Sequence, residues 1–241
     1  MAELQNRITE PDPCAAPPND GLAAELRGFG PVGIFALVAI TFSGYISLGR
    51  MVVFPLGGIL ALVWVWLSHT PWSQIGYVRP RSWLLTMCGG AALGITLKLL
   101  MKAVVMPLLG ADPVNSVYHF LSGNRALLGR AVSMMVIAGF AEETVFRGYL
   151  FERFSKLLGS SKLAKACIVL MTSLWFGLGH YADQRLAGVE QAFITGLIFG
   201  SIFVCTGSVF LPMIAHAAFD ITAVVLIYRN LETQVAHWIF R

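Results

Sequence analysis

Residues 83–105 read WLLTMCGGAALGITLKLLMKAVV, an apolar run whose charged members are Lys98 and Lys102. Its length matches the roughly 20 residues that an α-helix needs to cross a bilayer. A barrel strand would instead alternate over about 10 residues, and no such alternation is present. Working outward, further runs lie at about 29–48, 51–68, 126–150, 164–180, 189–206 and 209–228. The expected fold class is therefore all-α: a polytopic transmembrane helical bundle of about seven or eight spans, the eighth arising if one helix is broken.

Composition points the same way. Only 12% of the 241 residues are charged and 56% are hydrophobic, with a mean hydropathy of +0.71. A water-soluble surface uses about twice that share of charge. The net charge of +4 reads as basic loops beside a membrane, and no nucleic-acid motif accompanies it. Cys88, Cys167 and Cys205 sit in apolar runs and Cys14 near the start. Their spacing suits packing residues, not a disulfide or metal framework.

Three regions are expected. Residues 1–28 are polar, proline-rich and carry Glu3, Glu10, Asp12, Asp20 and Glu25 against Arg7 and Arg27, which predicts a disordered tail. Residues 29–228 form the bundle, and 229–241, with Leu231, Val235, Trp238 and Ile239 at helical spacing, form an interfacial C-terminal segment. Thr70-Pro71-Trp72 predicts a capped short interfacial helix, and 107–124 a loop lying over the bundle. Arg7, Arg27, Arg79, Arg81, Arg147, Arg153, Lys156, Lys162 and Lys165 fall on one side of the alternating spans, against Arg50, Arg125, Arg130, Arg185, Arg229 and Arg241 on the other. Their excess predicts a multi-pass protein with a cytoplasmic N-terminus, in the cell membrane of a prokaryote.

Ionisable residues inside apolar runs are costly and demand a partner or a function. The fourth run contains Ala141-Glu142-Glu143-Thr144-Val145-Phe146-Arg147. Consecutive helical residues lie about 100° apart, so Glu143 and Arg147, at i and i+4, share a face while Glu142 points elsewhere. The fifth run closes on Phe176-Gly177-Leu178-Gly179-His180, and the last holds His216-Ala217-Ala218-Phe219-Asp220, another i, i+4 pair. From chemistry alone this set is a hydrolytic or metal centre, a proton or ion pathway, or a structural network. Lys98 and Lys102 are expected to snorkel to the interface, Met134 and Met135 to pack in the core, and Gly90/Gly94 and Gly196/Gly200 to allow close helix packing.

The three segments, in order and form, resemble the CAAX protease and bacteriocin-processing (Abi) family of intramembrane peptidases, whose motifs are E-E-x-x-x-R, F-x-x-x-H and H-x-x-x-[ND]. The resemblance covers about 126–228. It implies an intramembrane endopeptidase of type II CAAX prenyl endopeptidase kind, acting on a membrane-associated peptide or protein. It further implies that Glu142 and His180 activate water, that His216 serves the oxyanion, and that Glu143 and Arg147 support them. Asp220 stands where relatives of the prenyl-processing branch carry Asn, which leaves either no cofactor or Zn²⁺ held among Glu142, His180, His216 and Asp220. The competing readings are a non-proteolytic membrane scaffold or chaperone and a proton-coupled transporter. No internal repeat of the transporter kind is visible.

Overall fold

The structure, a computed structural model, describes residues 21–43, 47–48, 51–52 and 55–240. Its helices are α1 (Gly21–Arg27), α2 (Pro31–Ser43), α3 (Pro55–Leu67), α4 (Trp83–Leu100), α5 (Met106–Leu108), α6 (Arg125–Glu143), α7 (Leu150–Leu158), α8 (Lys162–Gly179), α9 (Tyr181–Thr206), α10 (Phe210–Tyr228) and α11 (Glu232–Ala236). The fold is all-α apart from a small antiparallel pair, β1 (Ser47–Leu48) with β2 (Met51–Val52). Proline opens α2 and α3, where its missing N–H is not needed. Ser82 and Ser161 cap α4 and α8, accepting from the Leu85 and Ala164 N–H groups.

Four helical stretches are long and apolar enough to cross a membrane: Trp83–Leu108, Lys162–Gly179, Tyr181–Thr206 and Phe210–Tyr228. The pair α1 plus α2, bent by 61°, makes a fifth if it is one span. This is fewer than the seven or eight expected. The α3 segment is 13 residues, about 20 Å, and α6 is diluted by Arg125, Arg130, Glu142 and Glu143. Large apolar side chains such as Phe35, Trp66, Leu84 and Leu85 point outward, an arrangement that lipid favours and water opposes. The chain is an integral multi-pass membrane protein.

Several expectations change. Residues 1–20 of the expected tail lie outside the described residues, but Gly21–Arg27 is helical, so the boundary at residue 28 was drawn too late. Leu26 is buried and its carbonyl accepts from the Trp64 indole at 3.1 Å. Arg153, expected beside lipid headgroups, is instead fully buried. It donates to the Arg27 and Gly28 carbonyls at 2.9 and 2.7 Å, satisfying the acceptors that a helix C-terminus leaves over. The Thr70 segment forms a 3₁₀ turn, Trp72–Ile75, with no side-chain cap, because the Thr70 hydroxyl bonds Ser68 instead. Cys88, Cys167 and Cys205 are free and lie exposed on the outer faces.

The glycines act as expected. A methyl group on Gly94 would lie 2.1 Å from the Ala215 carbonyl oxygen, and one on Gly90 would lie 2.9 Å from Ile214, so α4 rests almost backbone to backbone on α10. Gly196 and Gly200 seat α9 against Ser173 and Val169 of α8. We expect Gly94→Ala to push α4 off α10 at a cost of about 1–3 kcal/mol, read as a lower melting temperature in detergent. Unchanged melting would mean that the two helices have room to spare.

Candidate active site

At Glu143 the regular α6 gives way to a π-helical turn, Thr144–Tyr149. Such turns fit an extra residue into the helix and recur at functional sites. The turn carries Arg147 inward. Glu143 and Arg147 are 0% and 1% exposed, and Arg147 Nη1 donates to Glu143 Oε1 at 2.8 Å. The guanidinium also donates from Nη2 to the Gly196 carbonyl at 3.1 Å and lies 5.0 Å from the Phe176 ring centre. One residue thus ties α6 to α8 and α9.

The same Glu143 Oε1 accepts from His216 Nδ1 at 2.8 Å. That bond aims the other ring nitrogen, Nε2, at two further carboxylates: Glu142 Oε2 at 3.6 Å and Asp220 Oδ2 at 3.5 Å. Because Nδ1 holds the proton donated to Glu143, Nε2 can donate only when the ring is an imidazolium. His180 is oriented by a different device. Its Nδ1 lies 2.9 Å from the Phe176 carbonyl, which can only accept, so in the neutral ring Nε2 carries the free lone pair. The Phe176 ring packs edge-on against both imidazoles, 4.8 Å from His180 and 5.8 Å from His216. Glu142, His180, His216 and Asp220 all line one cavity of about 330 Å³.

Residues 124–222 match the family model described as Rce1-like, type II CAAX prenyl endopeptidase Rce1-like. The similarity is confined to that segment. It holds all three motifs and spans less than half of the chain. No curated protein and no solved structure gives a match.

The cavity of the Rce1-like segment is completed by residues from outside it. Ile40 and Thr41 of α2, Gly57 of α3 and Lys98 of α4 form part of its wall, as do Asn115, Tyr118 and Leu121 of the loop 109–124. The three motif-bearing helices therefore do not form the wall alone. Met135 packs against the Leu121, Val224 and Ile227 core, as expected, and also lines the cavity. Lys98 does not snorkel: it is 8% exposed, and its Nζ donates to Gln191 Oε1 at 2.9 Å. Lys102 pairs with Glu232 at 3.2 Å, and Glu232 also accepts from the Asn115 N–H at 3.0 Å, fastening the loop to the C-terminal segment. The one sequence signal for Lys98 was its presence in the middle of a lipid-length run.

Tyr118 is a further residue that pattern reading missed. Burial and the negative charges of Asp183, Asp220 and Glu142 push its phenol up to about 12, against the pull of a Gln184 hydrogen bond. It therefore remains a proton donor throughout the neutral range.

Zinc would need at least three His, Cys, Asp or Glu side chains gathered around one point. Among the described residues no such group is present. The zinc alternative thus has no assembled ligand set among the described residues to support it.

Proposed function

We propose that the protein is an intramembrane endopeptidase that hydrolyses a peptide bond in a membrane-associated protein or peptide. The observation that carries this reading is the meeting of Glu142, His180, His216 and Asp220, from three separate helices, on one cavity. The match to the Rce1-like family over those helices supports it.

In this reading a water sits between the Glu142 carboxylate and His180 Nε2. Glu142 takes one of its protons as the oxygen adds to the scissile carbonyl. The carbonyl oxygen becomes an oxyanion, which receives a hydrogen bond from His216 Nε2–H in the imidazolium form, with Glu143 holding the opposite nitrogen. Collapse of the intermediate breaks the C–N bond, and the proton on Glu142 passes to the leaving amine. Asp220 orients the His216 ring. Enclosure strengthens each of these electrostatic contacts because little water is left to screen them.

The finer membrane reading is seven crossings, made by α2, α3, α4 with α5, α6, α8, α9 and α10, with a cytoplasmic N-terminus. The excess of basic residues around α7 and the start of α8 supports that orientation. The direct test of activity is mass spectrometry of membrane peptides from cells making the intact protein or the Glu142→Gln variant. Products confined to the intact protein establish proteolysis and locate the cleaved bond. Identical peptide sets would favour the scaffold reading.

Asp220→Asn separates two chemistries. If Asp220 orients His216, the nearly isosteric amide keeps a polar contact with the ring, and we expect activity to persist or rise. A metal ligand would behave oppositely, since losing the anionic oxygen weakens metal and activity together. Collapse of activity with recovery in excess Zn²⁺ would overturn the metal-free mechanism.

A further inference from the structure

Two lysines one helical turn apart on α4 and its extension meet different fates. Lys102 is neutralised within the chain by Glu232. Lys98, more deeply buried, has no carboxylate within ion-pair distance among the described residues; Asp220 and Glu232 act on it only from farther away. Of its three N–H donors, one reaches Gln191 Oε1, and the Phe219 ring lies 4.7 Å from the nitrogen. An ammonium taken from water without a counter-ion costs several kcal/mol. Asp220 and Glu232 offset only part of that cost from beyond contact distance, which leaves room for an anion from outside.

The position of Lys98 indicates which anion. It lines the catalytic cavity and also a second cavity of about 250 Å³ beside it, so it stands in the wall between them. Phe219, which faces it, precedes Asp220 on α10. Glu142, Asp183 and Asp220 in the first cavity repel an anion. The second cavity is better suited: Lys102 and Arg185 also line it, and of its two acids Glu232 is already tied to Lys102, leaving Asp112. A peptide whose scissile bond lies at Glu142 therefore extends toward Lys98 and can end, or present an acidic side chain, in the second cavity.

We propose that the Lys98 ammonium binds a carboxylate of the substrate at the junction of the two cavities and so selects which peptides the site accepts. This rests on the proteolytic reading above. The carboxylate is either the chain terminus or an Asp or Glu side chain within a few residues of the cleaved bond.

The test uses the full-length protein in lipid nanodiscs and a fluorescent peptide bearing an S-farnesyl cysteine followed by three aliphatic residues. Three forms are compared: the free acid, the C-terminal amide, and an amide with Glu as the last residue. Cleavage rate and binding, by fluorescence anisotropy, are both read. The intact protein is expected to favour the acid over the plain amide by about 10-fold or more in kcat/KM. Lys98→Met should bring the acid down to the level of the amide, and Lys98→Arg should keep the preference. Cleavage of the Glu-ended amide as fast as the acid would assign the contact to a side chain, and slow cleavage to the terminus. Equal treatment of all three forms by the intact protein overturns the proposal, whatever the variants do. So does a preference that survives in Lys98→Met. If no form is cleaved, proteolysis of this probe fails separately, and anisotropy still decides: tighter binding of a carboxylate form that is lost in Lys98→Met upholds Lys98, while equal or absent binding overturns it.

Discussion

Glu142→Gln is expected to lower hydrolysis by about 10²–10⁴-fold, the scale on which a positioned general base acts, with the fold intact. The side chain faces the cavity at 17% exposure, and its amide counterpart occupies the same volume. What is lost is the basic oxygen that, in the proposed mechanism, takes the proton of water. Single-turnover cleavage of the product-defining peptide measures the rate, and thermal melting in detergent measures the fold. A near-normal rate in a preparation free of deamidated protein would move water activation to another group.

The neighbouring carboxylate should behave in the opposite way. Glu143 and Arg147 are fully buried and hydrogen-bonded to each other. Removing one partner strands the other charge in a low-dielectric interior, at about 3–5 kcal/mol. Arg147→Ala also leaves the Gly196 carbonyl without its donor, and Glu143→Gln leaves the guanidinium without a counter-ion. Both variants should melt well below the intact protein, and both should lose activity because the Glu143 oxygen that accepts from His216 Nδ1 is replaced by an amide in one and loses the Arg147 donor that positions it in the other. The double variant Glu143→Gln/Arg147→Met should be destabilised by less than the sum of the single changes, the sign that the two groups act as a pair. Melting unchanged in either single variant would mean that the pair is solvated, and that the roles of the two glutamates need to be exchanged.

These contrasting outcomes for adjacent residues were legible in the chain. Residues at i and i+4 share a helix face and consecutive residues do not, so the spacing alone joins Glu143 to Arg147 and turns Glu142 away. The π-helical turn that begins at Thr144 was not legible, yet it preserved the pair because both side chains remain within reach. The His216–Asp220 spacing was equally readable. That His216 also bonds Glu143 was not, because the two are separated by 73 positions and lie on different helices.

Lys98 shows where pattern reading fails. A soluble helix announces its inner face by an apolar stripe, but a helix that is apolar all round carries no stripe. Nothing in residues 83–105 says which side turns to the bundle except the glycines, and these permit an approach without naming the partner. The inward turn of Lys98 follows from α4 seating Gly90 and Gly94 on Ile214 and Ala215 of α10.

The sequence by itself determined the number and character of the apolar runs, the three polar motifs, and the pairings within a single helix. Each depends on run length or on the 3.6-residue period, which are local properties of the chain. The tertiary structure alone decided that α2, α3, α4 and the loop 109–124 share the cavity wall, that Arg153 closes the end of α1, and that a lysine expected at the interface lines the same cavity as Glu142 and Asp220. Each of these depends on how a helix is rotated about its axis and how closely it meets its neighbours. In an apolar bundle that rotation is set by the shapes of the contacting surfaces together, because no single helix gains by turning one apolar face from lipid to protein.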